Sequence, residues 1–309
     1  MDKPIPWTGT DGALTPCAWC GAPPAAGERK LRGRTVCAAC GVASTDPWPS
    51  DDSLAEAYGG AYRPTGGRFS GPGDAVLALT RGTLARRIDR IAPPGRVLDV
   101  GAGSGGLVRA MRRRGRDAVG LEREADGEAI RDARLAEIDG QWAAVVFWHS
   151  LEHLPEPRAD LDRAIDLLAP RGVMTIAIPN ADSLQARLFG DRWLALDLPR
   201  HLTHIPARAL IGHLRGRGLE LDRVSHWRGG QVFFGWLDGL VGLSPGRPSL
   251  YDAVRRPAAR FTAQDDRRRA TTLAMALLLA PLAALGTLIE ILAGRAGTIY
   301  VEARRPAAA

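Results

Sequence analysis

Arg96-Val97-Leu98-Asp99-Val100-Gly101-Ala102-Gly103-Ser104-Gly105 is an apolar, strand-like run that ends in an acid and then breaks into glycines at alternate positions. A helix-like segment, Leu107 to Arg113, follows at once. Glycine lets the chain turn tightly and lets a ligand approach the backbone. The helix start beyond it offers unpaired N–H groups to a polar ligand. Glu122 lies 17 residues beyond Gly105, at the end of a second apolar stretch, Ala118-Val119-Gly120-Leu121. An acid there can accept hydrogen bonds from both hydroxyls of a ribose. The loop therefore reads as a nucleoside-cofactor site on an α/β sheet, with Asp99, Gly101, Gly103, Gly105 and Glu122 as its binding residues.

A dinucleotide fingerprint has the form G-x-G-x-x-G, the mark of a nicotinamide-binding Rossmann domain. This loop has G-x-G-x-G preceded by Leu98-Asp99. That form resembles motif I of the class I S-adenosylmethionine-dependent methyltransferases. The resemblance continues through Val145-Val146-Phe147-Trp148-His149-Ser150-Leu151-Glu152-His153-Leu154-Pro155, which looks like the fourth strand of that family and the loop after it. Leu188-Phe189-Gly190, Trp193 and Asp197-Leu198-Pro199-Arg200-His201-Leu202 look like a bacterial subgroup, of the type 11/23 kind, with an N-terminal zinc ribbon. The resemblance covers most of the chain, weakly at 123–141 and 231–296. It implies a Rossmann-like α/β methyltransferase sheet and S-adenosylmethionine as cofactor.

All four cysteines fall in the first 40 residues, as Cys17-x2-Cys20 and Cys37-x2-Cys40, each pair followed by glycine. Two such knuckles supply four thiolates for a tetrahedral Zn²⁺, a closed site that is structural rather than catalytic. A redox pair and a metal-free ribbon are the alternatives. The N-terminus has no apolar h-region, so no secretory signal is expected, and disulfides are not expected in a reducing compartment. Cytoplasmic residence follows, with a peripheral position at the inner face of the membrane as an extension of it. The net charge of +7 invites a nucleic-acid reading. Lysine, however, occurs only at Lys3 and Lys30. Arginine-borne charge in an alanine-, glycine- and proline-rich chain reads as a solvated surface, so nucleic acid is not expected as a partner.

Four segments are expected: a ribbon at 1–50, a helical linker at 51–94, the cofactor-binding domain at 95–230 completed by a strand at 297–304, and an apolar insertion at 231–296. The linker predicts helices over 51–62, with Leu54, Ala57, Tyr58 and Tyr62 on one face, and over 74–91, with Val76, Leu77, Leu79, Leu84 and Ile88 as its apolar side. A glycine-rich link, 66–73, separates them. Sheet strands are expected at 96–100, 117–122, 142–148, 173–178 and 219–227, with helices at 159–168 and 207–215. By resemblance the final strand inserts antiparallel between the fifth and sixth. Only nineteen residues separate Glu122 from Trp142. Ala129–Leu135 can make a short helix there, which leaves the third sheet strand short or missing. Asp139 is the acid nominated for the adenine side.

The insertion holds two apolar parts, Gln231–Leu243 and the charge-free Ala270–Ile289, interrupted by Pro281. Twenty apolar residues can span a bilayer. A shared sheet for the flanking strands excludes a single crossing. A hairpin kinked near Pro281, a surface-lying pair and internal packing remain. Arginines at 255, 256, 260, 267, 268 and 269 could contact anionic headgroups, with Phe233, Phe234 and Trp236 among the inserting residues.

The loop after the fourth strand offers His149, Glu152 and His153, and imidazole suits a general base near neutrality. Ubiquinone-pathway O-methyltransferases resemble this cluster, with an acid where His149 stands and then Glu-His. That implies a Mg²⁺ site which the imidazole makes less secure. Helix capping and loop packing are the bland alternative. His201 and His204 follow the fifth strand, His201 as a catalytic or a buried structural residue, and Arg200 could hold an anionic group of the acceptor. The expected activity is O-methylation of a small, glycan-like or lipid-linked acceptor. A zinc-ribbon rRNA methyltransferase and a non-catalytic binding protein retaining the fold are the rivals.

Overall fold

The computed structural model describes residues 16–23, 29–59, 69–70, 72–125, 127–227, 230–261 and 265–307. The helix end expected at Tyr62 and half of the link expected at 66–73 lie outside them. Seven strands form one sheet. Val97–Val100 (β4), Ala118–Leu121 (β5), Ile130–Arg131 (β6), Trp142–Trp148 (β7) and the first partner of β7, Leu168–Pro179 (β8), run parallel. Glu220–Ser225 (β10) and Thr298–Arg304 (β11) complete it in the order β10-β11-β8-β7-β4-β5-β6, with β11 antiparallel to both neighbours. The placement of the final strand between the fifth and sixth is thus as expected. Strands covered on both faces read as continuous apolar runs, and β7, Trp-Ala-Ala-Val-Val-Phe-Trp, is buried through its first six residues.

Helices cover both faces. Gly73–Ile91 (α2) and Gly106–Arg112 (α3) pack together on one side of β4, with Leu84, Ile88, Leu107 and Met111 in their core. Pro157–Asp166 (α4) and, beyond the short helix Leu184–Phe189 (α5), Ala207–Gly216 (α6) bury Leu161, Ile165, Leu210 and Leu214 on the other. One expectation fails in α2. Val76, Leu77 and Leu79 are exposed, because only the C-terminal half of the helix reaches the sheet. The third sheet strand is present as the two-residue β6. The helix expected at Ala129–Leu135 is absent. Pairing with β5 takes Ile130 and Arg131 into extended backbone, and only a single 3₁₀ turn, Leu135–Glu137, follows.

The ribbon strands Arg29–Leu31 (β1), Arg34–Val36 (β2) and Ala43–Thr45 (β3) form a separate antiparallel sheet. Its fourth strand, Thr203–His204 (β9), comes from the segment after β8. The linker helix Asp51–Tyr58 (α1) is capped by Ser50, whose hydroxyl accepts from the Ser53 N–H.

The insertion forms Gly230–Gly242 (α7), Leu250–Ala253 (α8) and Asp266–Leu292 (α9). Helix α9 runs without a break through Pro281, so of the alternatives the hairpin kinked there is not formed, and one helix about 40 Å long stands in its place. It is long and apolar enough to cross a membrane. The insertion that contains the helix, however, leaves the sheet at β10 and returns to it at β11. The last turn of α9 is also tied down: the buried Glu290 carboxylate accepts from Gln185 N, Gln185 Nε2 and Trp236 Nε1 at 2.8–2.9 Å. Trp236 is buried, and Phe233 and Phe234 pack against the same cluster. These aromatics are therefore internal and do not form the inserting face. The opposite side of α9 exposes Leu277, Leu278, Leu282, Leu285, Leu288, Ile289 and Leu292.

Candidate functional site

The glycine loop leaves the carboxyl edge of β4, where parallel α/β sheets bind ligands. Gly101, Gly103 and Gly105 all have positive φ, of 76°, 54° and 73°. They do different work. A side chain at Gly101 would collide with Ser150, whose hydroxyl donates to the Val100 carbonyl at 2.5 Å, so Gly101 is the place where the loop presses against the β7 loop. A side chain at Gly103 would enter open space. The backbone is therefore open to approach there. The Gly103 N–H donates to Glu122 Oε2 at 2.8 Å, which joins the loop to the acid at the end of β5. Asp99 is buried beneath the loop, and burial pushes its carboxyl up to about 7 against the pull of Arg81.

Asp139 does not belong here. It precedes β7 and so stands at the amino edge of the sheet, where its exposed carboxylate pairs with Arg163 at 3.0 Å. Asp132, which directly follows β6, is the acid at the carboxyl edge, and it accepts from the Glu124 N–H at 3.1 Å. The pattern Ile130-Arg131-Asp132 was hidden in the sequence because two residues of strand carry no detectable alternation.

The β7 loop brings His149, Glu152 and His153 together, and the segment before β9 adds His201. His149 adopts a left-handed backbone, φ 54°, of the kind that strained residues at functional sites show. Its Nδ1 lies 3.5 Å from Glu152 Oε1, and its Nε2 lies 3.1 Å from Gln231 Nε2. Glu152 is 2% exposed, and neither carboxylate oxygen has a hydrogen-bond partner among the described residues. Burial alone would raise its pKa; the nearby His149, His153 and His201 outweigh that and hold it below the ordinary range. His201 Nε2 lies 4.0 Å from Glu152 Oε1 and 3.8 Å from Asp197 Oδ2. The rings of His153 and His201 meet edge to face at 4.6 Å. His204 is buried among Trp193, His201 and Arg34 and is a packing residue of β9.

Sequence reading missed Tyr58. It sits on the apolar side of α1, yet its hydroxyl reaches His153 Nδ1 at 2.9 Å, and Arg123 stacks over its ring. Arg200 does not project toward an acceptor: its guanidinium binds the Asp197 carboxylate and the Ala57 carbonyl. The linker helix is thereby fastened over the site.

The ribbon touches the same segment. The Thr45 hydroxyl donates to the His201 carbonyl at 2.7 Å, and the Thr45 N–H to that of Leu202 at 2.9 Å. Its cysteines are free thiols, with Cys17 and Cys40 sulfurs 3.6 Å apart and those of Cys20 and Cys37 3.7 Å apart. Four thiolates about 2.3 Å from a tetrahedral zinc stand about 3.8 Å from one another, so the arrangement fits that ion. The residues around Glu152 do not fit Mg²⁺, which takes oxygen ligands in near-octahedral geometry. Two imidazoles and one carboxylate face each other here.

A family model described as a methyltransferase domain matches residues 77–224. The ubiquinone biosynthesis O-methyltransferase of Xanthomonas axonopodis pv. citri (strain 306) is 30% identical over 182 residues, spanning 50% of this chain and 75% of that protein. That of Psychrobacter arcticus (strain DSM 17307 / VKM B-2377 / 273-4) is 34% identical over 105 residues, 28% of this chain and 41% of that one. Among solved structures, a SAM dependent methyltransferase from Archaeoglobus fulgidus aligns over 73% of this chain and 93% of its own, at 17% identity and a TM-score of 0.43.

Proposed function

We infer that this chain, which belongs to the class I S-adenosylmethionine-dependent methyltransferases, transfers the sulfonium methyl group to a hydroxyl oxygen of a small, lipid-linked acceptor. The observation that carries the reading is the contact of Gly101 with Ser150, which sets the cofactor loop directly against the loop bearing His149 and Glu152. Glu122 would hold the ribose hydroxyls, Gly103 the close backbone approach, and Asp132 the adenine side. When bound, the cofactor supplies an electrophilic methyl carbon. In the transfer the acceptor oxygen forms the new C–O bond as the C–S bond breaks. Sulfur keeps the bonding pair and leaves as a neutral thioether, and the hydroxyl proton passes to a base.

His149 suits that base. With its Nδ1 hydrogen turned toward Glu152, its Nε2 carries the lone pair, and the Gln231 amide donates to it. Glu152 would then offset the imidazolium charge. Oxygen as the acceptor atom is supported by the names of the relatives. A lipid-linked acceptor, and a peripheral place on the cytoplasmic face of a membrane, are supported by the exposed stripe of α9. The ribbon is read as a structural zinc module that shapes the segment carrying His201.

Incubation with methyl-labelled cofactor and a membrane extract tests the reading. Label should appear in an organic-soluble, alkali-stable ether. His149→Ala should slow its formation by about 10²–10⁴-fold with cofactor affinity retained. Label recovered only in RNA or only as an alkali-labile ester would refute it.

A further inference from the structure

Arg34, in β2, is 8% exposed, and its Nη1 has no hydrogen-bond partner among the described residues. A guanidinium keeps its charge in proteins. Burial opposes that charge, and Arg29 adds like charge nearby. Asp191 supports it from a distance, yet the ion pair that Asp191 makes, at 4.0 Å, is with Arg32. The strand register shows what shares this place. Arg34 stands opposite Thr45 and His204 opposite Ala43, and residues two apart on a strand point to one face. Arg34 and His204 therefore lie on the same face of the ribbon sheet. The segment after β8 closes against the ribbon here. Leu198 fills the space that a side chain at Gly33 would need, and the ring of Trp193 lies 6.5 Å from that of His204. His204 is 4% exposed, and its Nε2 also lacks a partner. Burial, Arg34 and His201 together push its pKa well below the ordinary range, so the ring is neutral and carries one N–H. A buried cation and a buried ring nitrogen thus share one face with no acceptor between them. Water can serve the ring, but it leaves the guanidinium charge uncompensated, and a buried charge is costly unless it is paired.

We propose that Arg34 and His204 form a binding site for one oxyanionic group, a phosphate or a carboxylate, at the seam between the ribbon and β9. The guanidinium fork presents parallel N–H donors that match two oxygens of such a group. His204 adds a donor when its hydrogen sits on Nε2. The charges around the site favour an anion: Arg29 and Arg32 stand beside Arg34 on the ribbon, against the single carboxylate of Asp191. His201 separates this site from the β7 loop, with its ring 6.3 Å from that of His204 and its Nε2 4.0 Å from Glu152 Oε1. For its role the proposal rests on the methyltransferase reading: the site holds an anionic group of the acceptor while the hydroxyl meets His149. The ribbon then contributes to acceptor recognition as well as to the shape of the segment beneath it. In the sequence Arg34 is one of several arginines in a stretch that reads as solvated surface. Its neighbours Arg29, Lys30 and Arg32 are indeed exposed, and only the packing of the distant segment 193–204 encloses Arg34.

Thermal unfolding of the full chain tests this, in chloride and then in inorganic phosphate, acetate or a water-soluble short-chain phosphatidic acid at matched ionic strength. An anion present at about ten times its dissociation constant should raise the wild-type Tm by about 1–4 °C over chloride. Arg34→Met should abolish that shift, and Arg32→Met, at an exposed neighbour, should keep it. Arg34→Lys keeps the charge without the fork, so the same shift should need at least about 10-fold more anion; this variant carries the test if the methionine variant does not fold. A shift with inorganic phosphate points to a soluble phosphate, a shift with phosphatidic acid alone to a lipid headgroup, and a shift with acetate alone to a carboxylate. No shift with any of the three overturns the proposal, and so does an equal shift in the wild type and in the Arg34 variants. Titration with S-adenosylhomocysteine on the same samples separates the two readings. Cofactor binding without an anion shift removes this site and leaves the methyltransferase; an Arg34-dependent shift without cofactor binding removes the role given to the anion and leaves the site.

Discussion

The exposed side of α9 allows a quantitative prediction. Leu277, Leu278 and Leu282 are 79%, 80% and 50% exposed, together about two leucine side chains of apolar surface in solvent. Fully burying a leucine is worth about 1.5–3 kcal/mol, so complete insertion of the three would contribute about 3–6 kcal/mol. A helix lying in the interface, with its other side held against α7 by the Glu290 bonds, buries roughly half of that, which corresponds to about 10–200-fold in affinity. Replacing all three with glutamine should reduce flotation with phosphatidylglycerol-rich vesicles by that factor. Wild-type binding should also weaken between about 0.05 and 0.5 M salt, because Arg267 and Arg268 at the start of α9 are exposed and screening shortens their reach. The three positions make little internal contact, so affinity for S-adenosylhomocysteine should not change. Equal flotation of variant and wild type, or none at low salt, would refute the reasoning. Serine at Phe233, Phe234 and Trp236 is a different experiment, since these residues pack inside and their loss would reduce stability.

Two further outcomes follow from the same geometry. Thr45→Val removes a buried hydrogen bond to the His201 carbonyl and should cost about 1–3 kcal/mol of stability; like Cys17→Ser, which opens the cysteine cluster, it should lower methyl transfer while cofactor affinity stays within a few fold, and a calorimetric titration beside a rate assay separates the two effects. Asp99 gives a pH signature. Its carboxyl ionises near 4 in the unfolded chain and near 7 when buried, so the folded state holds the extra proton in that window and stability falls as pH rises from 4 through 7, by an order of a few kcal/mol. Asp99→Asn should flatten urea midpoints measured between pH 5 and 8, and an unchanged slope would show that the carboxyl is not the cause.

The sheet was legible because its central strands are buried on both faces and read as unbroken apolar runs. Val97–Val100 ends in turn-forming glycines, and Trp142–Trp148 ends at the polar loop that begins with His149. The glycine loop, Glu122 and the β7 loop followed from it. The remainder depended on contacts between distant segments. Tyr58 looks like a core residue of an amphipathic helix, and nothing local says that its hydroxyl meets His153. Asp139 was nominated by proximity in sequence, but the short β6 turns the chain early and leaves Asp132 at the carboxyl edge instead. The apolar content of the insertion was plain. Which side of each helix faces solvent was not, because α9 is apolar all round and only its packing on α7 selects the exposed stripe.

Calorimetric titration of the wild-type chain and of Glu122→Ala with S-adenosylhomocysteine tests the central claim most directly. The carboxylate that accepts from the Gly103 N–H at 2.8 Å is the one proposed to accept the ribose hydroxyls, and hydrogen bonds to a charged group are worth about 1.5–3 kcal/mol. One site per chain is predicted, with affinity falling by roughly 10–150-fold in the variant. No heat of binding in the wild-type protein, or equal affinity in the two, would contradict the assignment of this loop as the cofactor site.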